Sequence, residues 1–429
     1  MTHSPVRAPV GAPGVRRLTT TLYGYAFLDE FVLLYPVYAL LFADTGLSVG
    51  QTSSLFVIWS ATGVLLEVPS GAWADAVSRR LPLWLGPLLG AAGFALWVLF
   101  PSYGAFAAGF VLWGARGALG SGALEALVYE ELERLGAADR YARLMGRAHA
   151  AGQAAAMTAM ALAGPVFAAY GYPAVGAASV LACLLCAATA TRFPEHRAPA
   201  PAGAGAGAGA DSDGGGEGDG DGDGGEGWAA TLRAGLAEAR RDRSVRGALL
   251  LVPAVAAVWG ALDEYTPLLA RDTGAPDAAI PHLLMVIWAG VTAGSLLAGP
   301  AERLGRRGFA ALLAASALAL AAGAGAGTPA GLALVALAFG GFQLATVLAD
   351  ARLQRRIEGT GRATLTSVAG LGTELATIAV YLTYAPLASA SAHGTAFALL
   401  AVPCLVTALL VAVRRRPRAG DSVAAVSRR

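Results

Sequence analysis

Apolar residues along this chain come in runs of about twenty, each closed by a charge, a glycine or a proline. The runs fall near 20–43, 52–75, 81–101, 103–129, 146–170 and 173–191, and resume near 245–270, 279–301, 308–327, 329–351, 363–386 and 393–413. A helix of about twenty apolar residues crosses the ~30 Å hydrocarbon core of a bilayer. The pattern therefore predicts an all-α, polytopic membrane protein with twelve transmembrane helices. The tight turns Pro101-Ser102-Tyr103-Gly104 and Gly327-Thr328-Pro329 predict helical hairpins.

Composition sharpens this reading. Only 14% of the 429 residues are charged, against about 25% in a soluble protein. A soluble enzyme, a nucleic-acid binder, a secreted disulfide scaffold and a disordered chain are all excluded on that ground. Every basic residue is Arg, which together with the Ala and Gly excess points to a GC-rich bacterial genome. With the amino terminus placed in the cytoplasm, all arginines except Arg116 and Arg271 fall on the cytoplasmic side. That is the positive-inside rule, and it places both termini inside and the chain in a bacterial cytoplasmic membrane. Residues 1–18 show no cleavable-signal pattern, so the first span is expected to act as its own targeting signal.

The break between the two sets of six runs contains a Gly, Ala, Asp and Glu tract at 201–227 that cannot bury apolar surface. It holds seven acids, and without them the net charge of +2 becomes +9, from 31 arginines against 22 acids. The expected organisation is a cytoplasmic tail (1–19), a six-helix bundle (20–192), a cytoplasmic loop (193–244) carrying the disordered linker 201–227, a second six-helix bundle (245–413) and a tail (414–429). Asp219-Gly-Asp221-Gly-Asp223-Gly224 imitates the start of a calcium loop, but Ala230 stands where a bidentate Glu belongs. Three anchors relate the halves at offsets of 227 to 229: Asp44-Thr45-Gly46 with Asp272-Thr273-Gly274, Val57-Ile58-Trp59 with Val286-Ile287-Trp288, and Arg79-Arg80 with Arg306-Arg307. A near-constant offset predicts duplication as parallel repeats. The pairs Asp29-Glu30 and Asp263-Glu264 break this register, at an offset of 234.

Charge inside a span is costly and marks candidate functional residues. Span 1 carries Asp29 and Glu30, span 2 Glu67, span 4 Arg116 and Glu125, span 7 Asp263 and Glu264, and span 11 Glu374. Spans 3, 6, 9 and 12 carry none, so every third helix is expected at the lipid-facing periphery. Asp29 lies about eleven residues into its span, near mid-membrane, and is a candidate for carrying a coupled proton; the alternative is a structural hydrogen bond to a neighbouring helix. Arg116 needs an acidic partner. Glu125 is half a turn out of phase on the same helix, which leaves Asp29 or Glu30. Tyr23, Tyr25, Tyr35 and Tyr38 would suit a cationic compound by cation–π contact, or form an interfacial belt, the reading preferred for Tyr38. Cys183 and Cys186 read as helix filler, and Cys404 leaves no disulfide framework. His149 and His282 have no companions for a metal site.

The loop after span 2, Gly71-Ala-Trp-Ala-Asp75-Ala-Val-Ser78-Arg79-Arg80, resembles the signature Gly-x-x-x-Asp-Arg-x-Gly-Arg-Arg of the major facilitator superfamily, with Ala76 and Ser78 replacing the first Arg and second Gly. The second half offers Glu302-Arg303-Leu304-Gly305-Arg306-Arg307 at the equivalent place, with Ala298 where the leading Gly would stand. Arg116-Gly-Ala-Leu119-Gly120-Ser-Gly122-Ala123 is similar to the family's Arg-x-x-Gln-Gly-x-Gly-Ala motif, and Gly152 with Gly164-Pro165 to its antiporter motif, a Gly-Pro kink. The resemblance implies two six-helix pseudo-repeats working by alternating access, with both loops as cytoplasmic latches and Arg116 in proton coupling. It implies a carrier of the drug:proton antiporter type that exports a small amphipathic or cationic compound. Asp29, Glu30, Glu67, Arg116, Asp263, Glu264 and Glu374 would form the coupling site and cavity. The alternatives are a symporter importing a sugar, peptide or metabolite, a transport-dead sensor or scaffold, and a membrane-embedded transferase. A monomer in the lipid bilayer is expected, acting on a small molecule. No cofactor, metal or nucleic acid is expected, and no Walker-type loop is present to use ATP.

Overall fold

The computed structural model describes residues 13–77, 80–120, 122–194, 243–355 and 362–413, with side chains of 68–77, 243–245 and 362–365 left out. The acidic tract 201–227 and Arg79 lie outside the described residues, as do the side chains of Gly71 and Asp75. The chain divides into two compact units, Met1–Ala237 with Asp277–His282, and Glu238–Pro276 with Leu283–Arg429.

In the first unit the helices are α1 (Pro13–Glu30), α2 (Tyr38–Asp44), α3 (Val49–Val77), α4 (Arg80–Leu99), α5 (Tyr103–Gly120), α6 (Ala123–Arg134) and α7 (Tyr141–Ala190). In the second they are α8 (Arg243–Asp263), α9 (Thr266–Asp272), α10 (Ile280–Leu296), α11 (Ala298–Ala301), α12 (Arg306–Gly325), α13 (Gly331–Gln354), α14 (Arg362–Ala390), α15 (His393–Leu400) and α16 (Val402–Val413). Among the described residues, nine helical stretches are long and apolar enough to cross a membrane, and Ala138–Ala190 is one of them at 53 residues. It contains two predicted spans. Gly171, at φ 68° and ψ −165°, breaks it, a conformation that a side chain resists. Gly164-Pro165 keeps helical dihedrals, so the expected kink there is replaced by the Gly171 break. Predicted spans 1 and 4 do not reach the apolar threshold, and with them the tally agrees with twelve.

The largest departure from expectation concerns spans 1 and 7, each of which is two helices. Span 1 is helical to Glu30, irregular over 31–37 and helical again from Tyr38; span 7 breaks at Glu264-Tyr265. Backbone groups freed inside a membrane need partners. The Ser179 hydroxyl accepts from the Leu34 N–H at 3.0 Å, while the Val37 and Tyr38 N–H groups both return to Leu34 O. Aromatic rings surround the first break. Tyr38, 4% exposed, lies among Phe42, Phe56, Trp97, Phe110 and Trp113 at centroid distances of 5.4 to 6.2 Å, which places it in the core and not in an interfacial belt.

The short helices α2 and α9 are repeats of each other. Each has seven residues and ends on an Asp 228 positions apart, followed by a Thr whose hydroxyl donates back into the helix and a Gly at φ 89° or 78°. Each Asp also accepts from the last hairpin of its own unit, Asp44 from the Tyr172 hydroxyl at 2.5 Å and Asp272 from the His393 N–H at 3.3 Å. The internal packing of both units depends on glycine. A Cβ at Gly114 would meet Thr62 Cβ at 2.8 Å and Trp59 O at 2.9 Å, and one at Gly340 would meet Gly290 O at 2.5 Å. Small residues let membrane helices approach this closely, so spans 2 and 4 in one unit and 8 and 10 in the other are joined in the same way.

Candidate functional site

The break in span 1 makes Glu30 the last residue of α1 and places Asp29 in its final turn. A helix ends there with unpaired carbonyls and a partial negative charge, so two carboxylates in the last turn are electrostatically misplaced unless a cation joins them. Arg116 of α5 supplies it. Its Nη2 donates to Asp29 Oδ1 at 2.5 Å and to Asp29 O at 3.1 Å, so one nitrogen neutralises the carboxylate and caps the helix end. The arginine side chain is 10% exposed and that of Asp29 32%. Nη1 is buried and makes no hydrogen bond among the described residues.

Two further groups hold this pair. Arg116 lies across α4 at a glycine trough: a Cβ at Gly90 would come within 2.9 Å of Nη1, and one at Gly86 within 3.5 Å of Cγ. Span 3, expected at the lipid periphery, therefore also backs the pair; a helix without charges can serve this way because its exposed backbone leaves the room. Cys186 donates weakly to Asp29 Oδ1 at 3.8 Å and to Tyr25 O at 3.7 Å, and so belongs to the site instead of acting as filler. Nothing in the spacing announced the thiol, whereas Gly86, Gly90 and Gly93, at intervals of four and three on span 3, were a usable signal for the trough.

A cavity of about 510 Å³ opens from the pair within this unit. Asp29, Arg116, Glu30, Glu125, His149 and Gln153 supply its polar lining, between walls that include Gly117 and Gly120. Glu67 is not among the lining residues. Tyr25 packs edge-on against Phe193 at 5.7 Å and Tyr35 stacks on Trp113 at 5.1 Å, so both rings are engaged by protein.

In the second unit Asp263 ends α8 and Glu264 follows it, so each acid pair sits at the end of the first half of a broken helix, although the sequence register separates them. Here the Thr266 hydroxyl donates to Asp263 O at 2.6 Å and caps the carbonyl. Asp263, Glu264 and Glu374 lie within electrostatic reach of the buried Tyr381.

The loop 302–307 of the second unit is engaged within its own unit. Glu302 meets Arg355 at 4.0 Å, and Arg352 donates to Leu304 O at 2.9 Å while lying 4.2 Å from the Phe309 ring centre. Arg306 donates to Ala412 O at 3.2 Å, and Arg303, Arg307 and Gly305 are exposed. Arg352 and Arg355 were missed because they lie some fifty residues from the motif.

The sequence profile of the Major Facilitator Superfamily matches residues 20–379. The chain belongs to the Major Facilitator Superfamily. It is accordingly a multi-pass membrane transporter and not an enzyme. No curated protein matches it by sequence. Among solved structures, the superfamily fold is shared with the nucleoside transporter NupG, at 12% identity and a TM-score of 0.70 over 93% of this chain and 98% of that one. It is shared with the POT family transporter PepTSo, at 13% identity and a TM-score of 0.66 over 92% and 97%, and with an auto inhibited POT family peptide transporter, at 15% and 0.65 over 94% and 98%.

Proposed function

We propose that this superfamily member is a proton-coupled secondary transporter of a bacterial cytoplasmic membrane, working as a monomer by alternating access and exporting a small amphipathic or cationic compound. The observation that carries this reading is the bond from Arg116 to both the carboxylate and the carbonyl of Asp29 at the head of a cavity. A carboxylate held by a single arginine has two states: ionised and paired, or protonated and released. Release also uncaps the end of α1, so protonation and the geometry of the broken helix are linked. In the second half, Asp263 and Glu264 stand at the break of the other divided helix, where acidic side chains suit a cationic substrate.

A symporter importing a polar metabolite is the second reading, favoured by the likeness in fold to a nucleoside transporter and to peptide transporters. A compound panel in efflux-deficient bacteria expressing wild type or Asp29→Asn tests the first. Export predicts raised tolerance to particular compounds with the wild type and none with Asp29→Asn; equal tolerance with both rejects it. Sealed vesicles with an imposed pH gradient then separate outward exchange from inward symport.

A further inference from the structure

The cavity of the first unit contains two ionisable groups that this transport reading leaves idle, Glu125 at the start of α6 and His149 on α7. Exposure is graded along its lining. Glu30, Glu125, His149 and Gln153 are exposed and Asp29 is 32% exposed, whereas Arg116 and Tyr25 are 10% and 7% exposed. Glu125, His149 and Gln153 flank the 134–141 turn, which with Arg134, Arg140, Arg143 and Arg147 belongs to the arginine-rich side of the membrane. The cavity therefore runs from that side to the buried ion pair, and it is built within one unit.

We propose that this cavity is a proton path of its own between Asp29 and the arginine-rich side, with His149 relaying protons and Glu125 exchanging them with water at the mouth. The proposal rests on the reading of Asp29 as the coupling acid. A volume of about 510 Å³ holds a chain of waters. His149 is prepared for the task by a bond from Nδ1 to Met145 O at 3.1 Å. A carbonyl only accepts, so Nδ1 carries the hydrogen in the neutral ring and Nε2 keeps a lone pair. A proton from water binds Nε2, giving the imidazolium. The same proton then leaves Nε2 through water for the carboxylate of Glu30, whose Cγ lies 3.1 Å from the place of a Cβ on Gly152, three residues beyond His149 on α7. Through water it passes from Glu30 to Asp29, whose bond from Arg116 is released. His149 returns to its neutral form, and only N–H and O–H bonds are made and broken. The remaining titratable groups at the floor are Tyr25 on α1 and Cys183 and Cys186 on α7.

The walls supply an independent handle. A Cβ built at Gly117 or Gly120 meets nothing within 4 Å, so Gly120→Leu fills the cavity without striking the backbone. The test uses the full chain in lipid nanodiscs and the proton as probe. After a rapid drop from about pH 8 to about pH 6, across the histidine range, proton uptake is followed by the infrared band of protonated carboxylic acids. The wild-type signal minus that of Asp29→Asn isolates Asp29. His149→Gln and Gly120→Leu are each expected to slow this component by about tenfold or more with its final amplitude unchanged, a pattern that a merely structural role does not produce. If one variant fails to give a monodisperse protein, the other decides. An Asp29 component of unchanged rate in the folded variants overturns the proton path alone. Absence of any Asp29 component in the wild type overturns both the path and the reading of Asp29 beneath it.

Discussion

Arg116 uses a single nitrogen to hold both the side chain and the backbone carbonyl of Asp29, and this double use sets what a substitution can preserve. Lysine keeps the charge but lacks the planar, rigid fork. Arg116→Lys is expected to transport at least about tenfold more slowly than wild type in membrane vesicles, because a flexible ammonium does not fix the position of the acid as the planar group does. A near wild-type rate would show that charge alone suffices. Ser179 has a different duty, satisfying the Leu34 N–H exposed by the break. Ser179→Ala should cost about 1–2 kcal/mol, the penalty for one unsatisfied buried donor. Thermal unfolding of purified protein measures it, and an unshifted Tm would mean that another group takes over. At this scale the sequence was partly legible. A lone arginine inside a span requires an acid, and which acid it meets depends on where α1 stops; helical phase does not bear on Glu125, which lies on α6 and not on α5. Cys186 was read as filler because its weak bond to Asp29 joins residues 157 positions apart.

At the scale of the element, the two broken helices and the glycine trough organise the site. The apolar runs located the spans, since length and hydropathy follow from crossing a bilayer. They concealed the break at 31–37, because that segment is as apolar as the helices beside it, and the break at 264–265, because it is only two residues long. Pro36 within the first break and Pro267 in the first turn of α9 were the available signals, as proline removes a helical N–H and favours a helix start. The breaks also explain the displaced acid pairs: each pair follows the end of its half-helix and not the register of the repeat. The trough makes a direct prediction. Gly90→Leu should leave a folded protein with the defect of an Arg116 variant, since the new side chain occupies the place of Nη1, whereas Gly104→Ala, with nothing within 4 Å of its Cβ, should be neutral. Compound tolerance in cells expressing each variant checks the pair of outcomes; loss in both, or in neither, contradicts the assignment of Gly90 as a positioning residue.

At the scale of the whole molecule, two units carry the same short helix, the same Asp-Thr-Gly end and the same staple to the last hairpin, yet differ in charge at the helix break. One acid pair is held by arginine and the other is capped by Thr266, so duplication has preserved the frame and let the chemistry of the halves diverge. The tract 201–227 adds no apolar surface, and deleting 203–226 should change transport by less than about twofold, provided the shorter tether still spans the units. Loss of transport with normal expression would give the tract a role beyond connection. The central claim is that Asp29 couples substrate movement to the proton gradient. Its most direct measurement is uptake, into inside-out vesicles with an acidic interior, of a compound selected by the tolerance panel. The account predicts accumulation above the external concentration by the wild type, abolished by Asp29→Asn and by collapsing the pH gradient. Equal accumulation by wild type and Asp29→Asn, or accumulation that persists without the gradient, would contradict it.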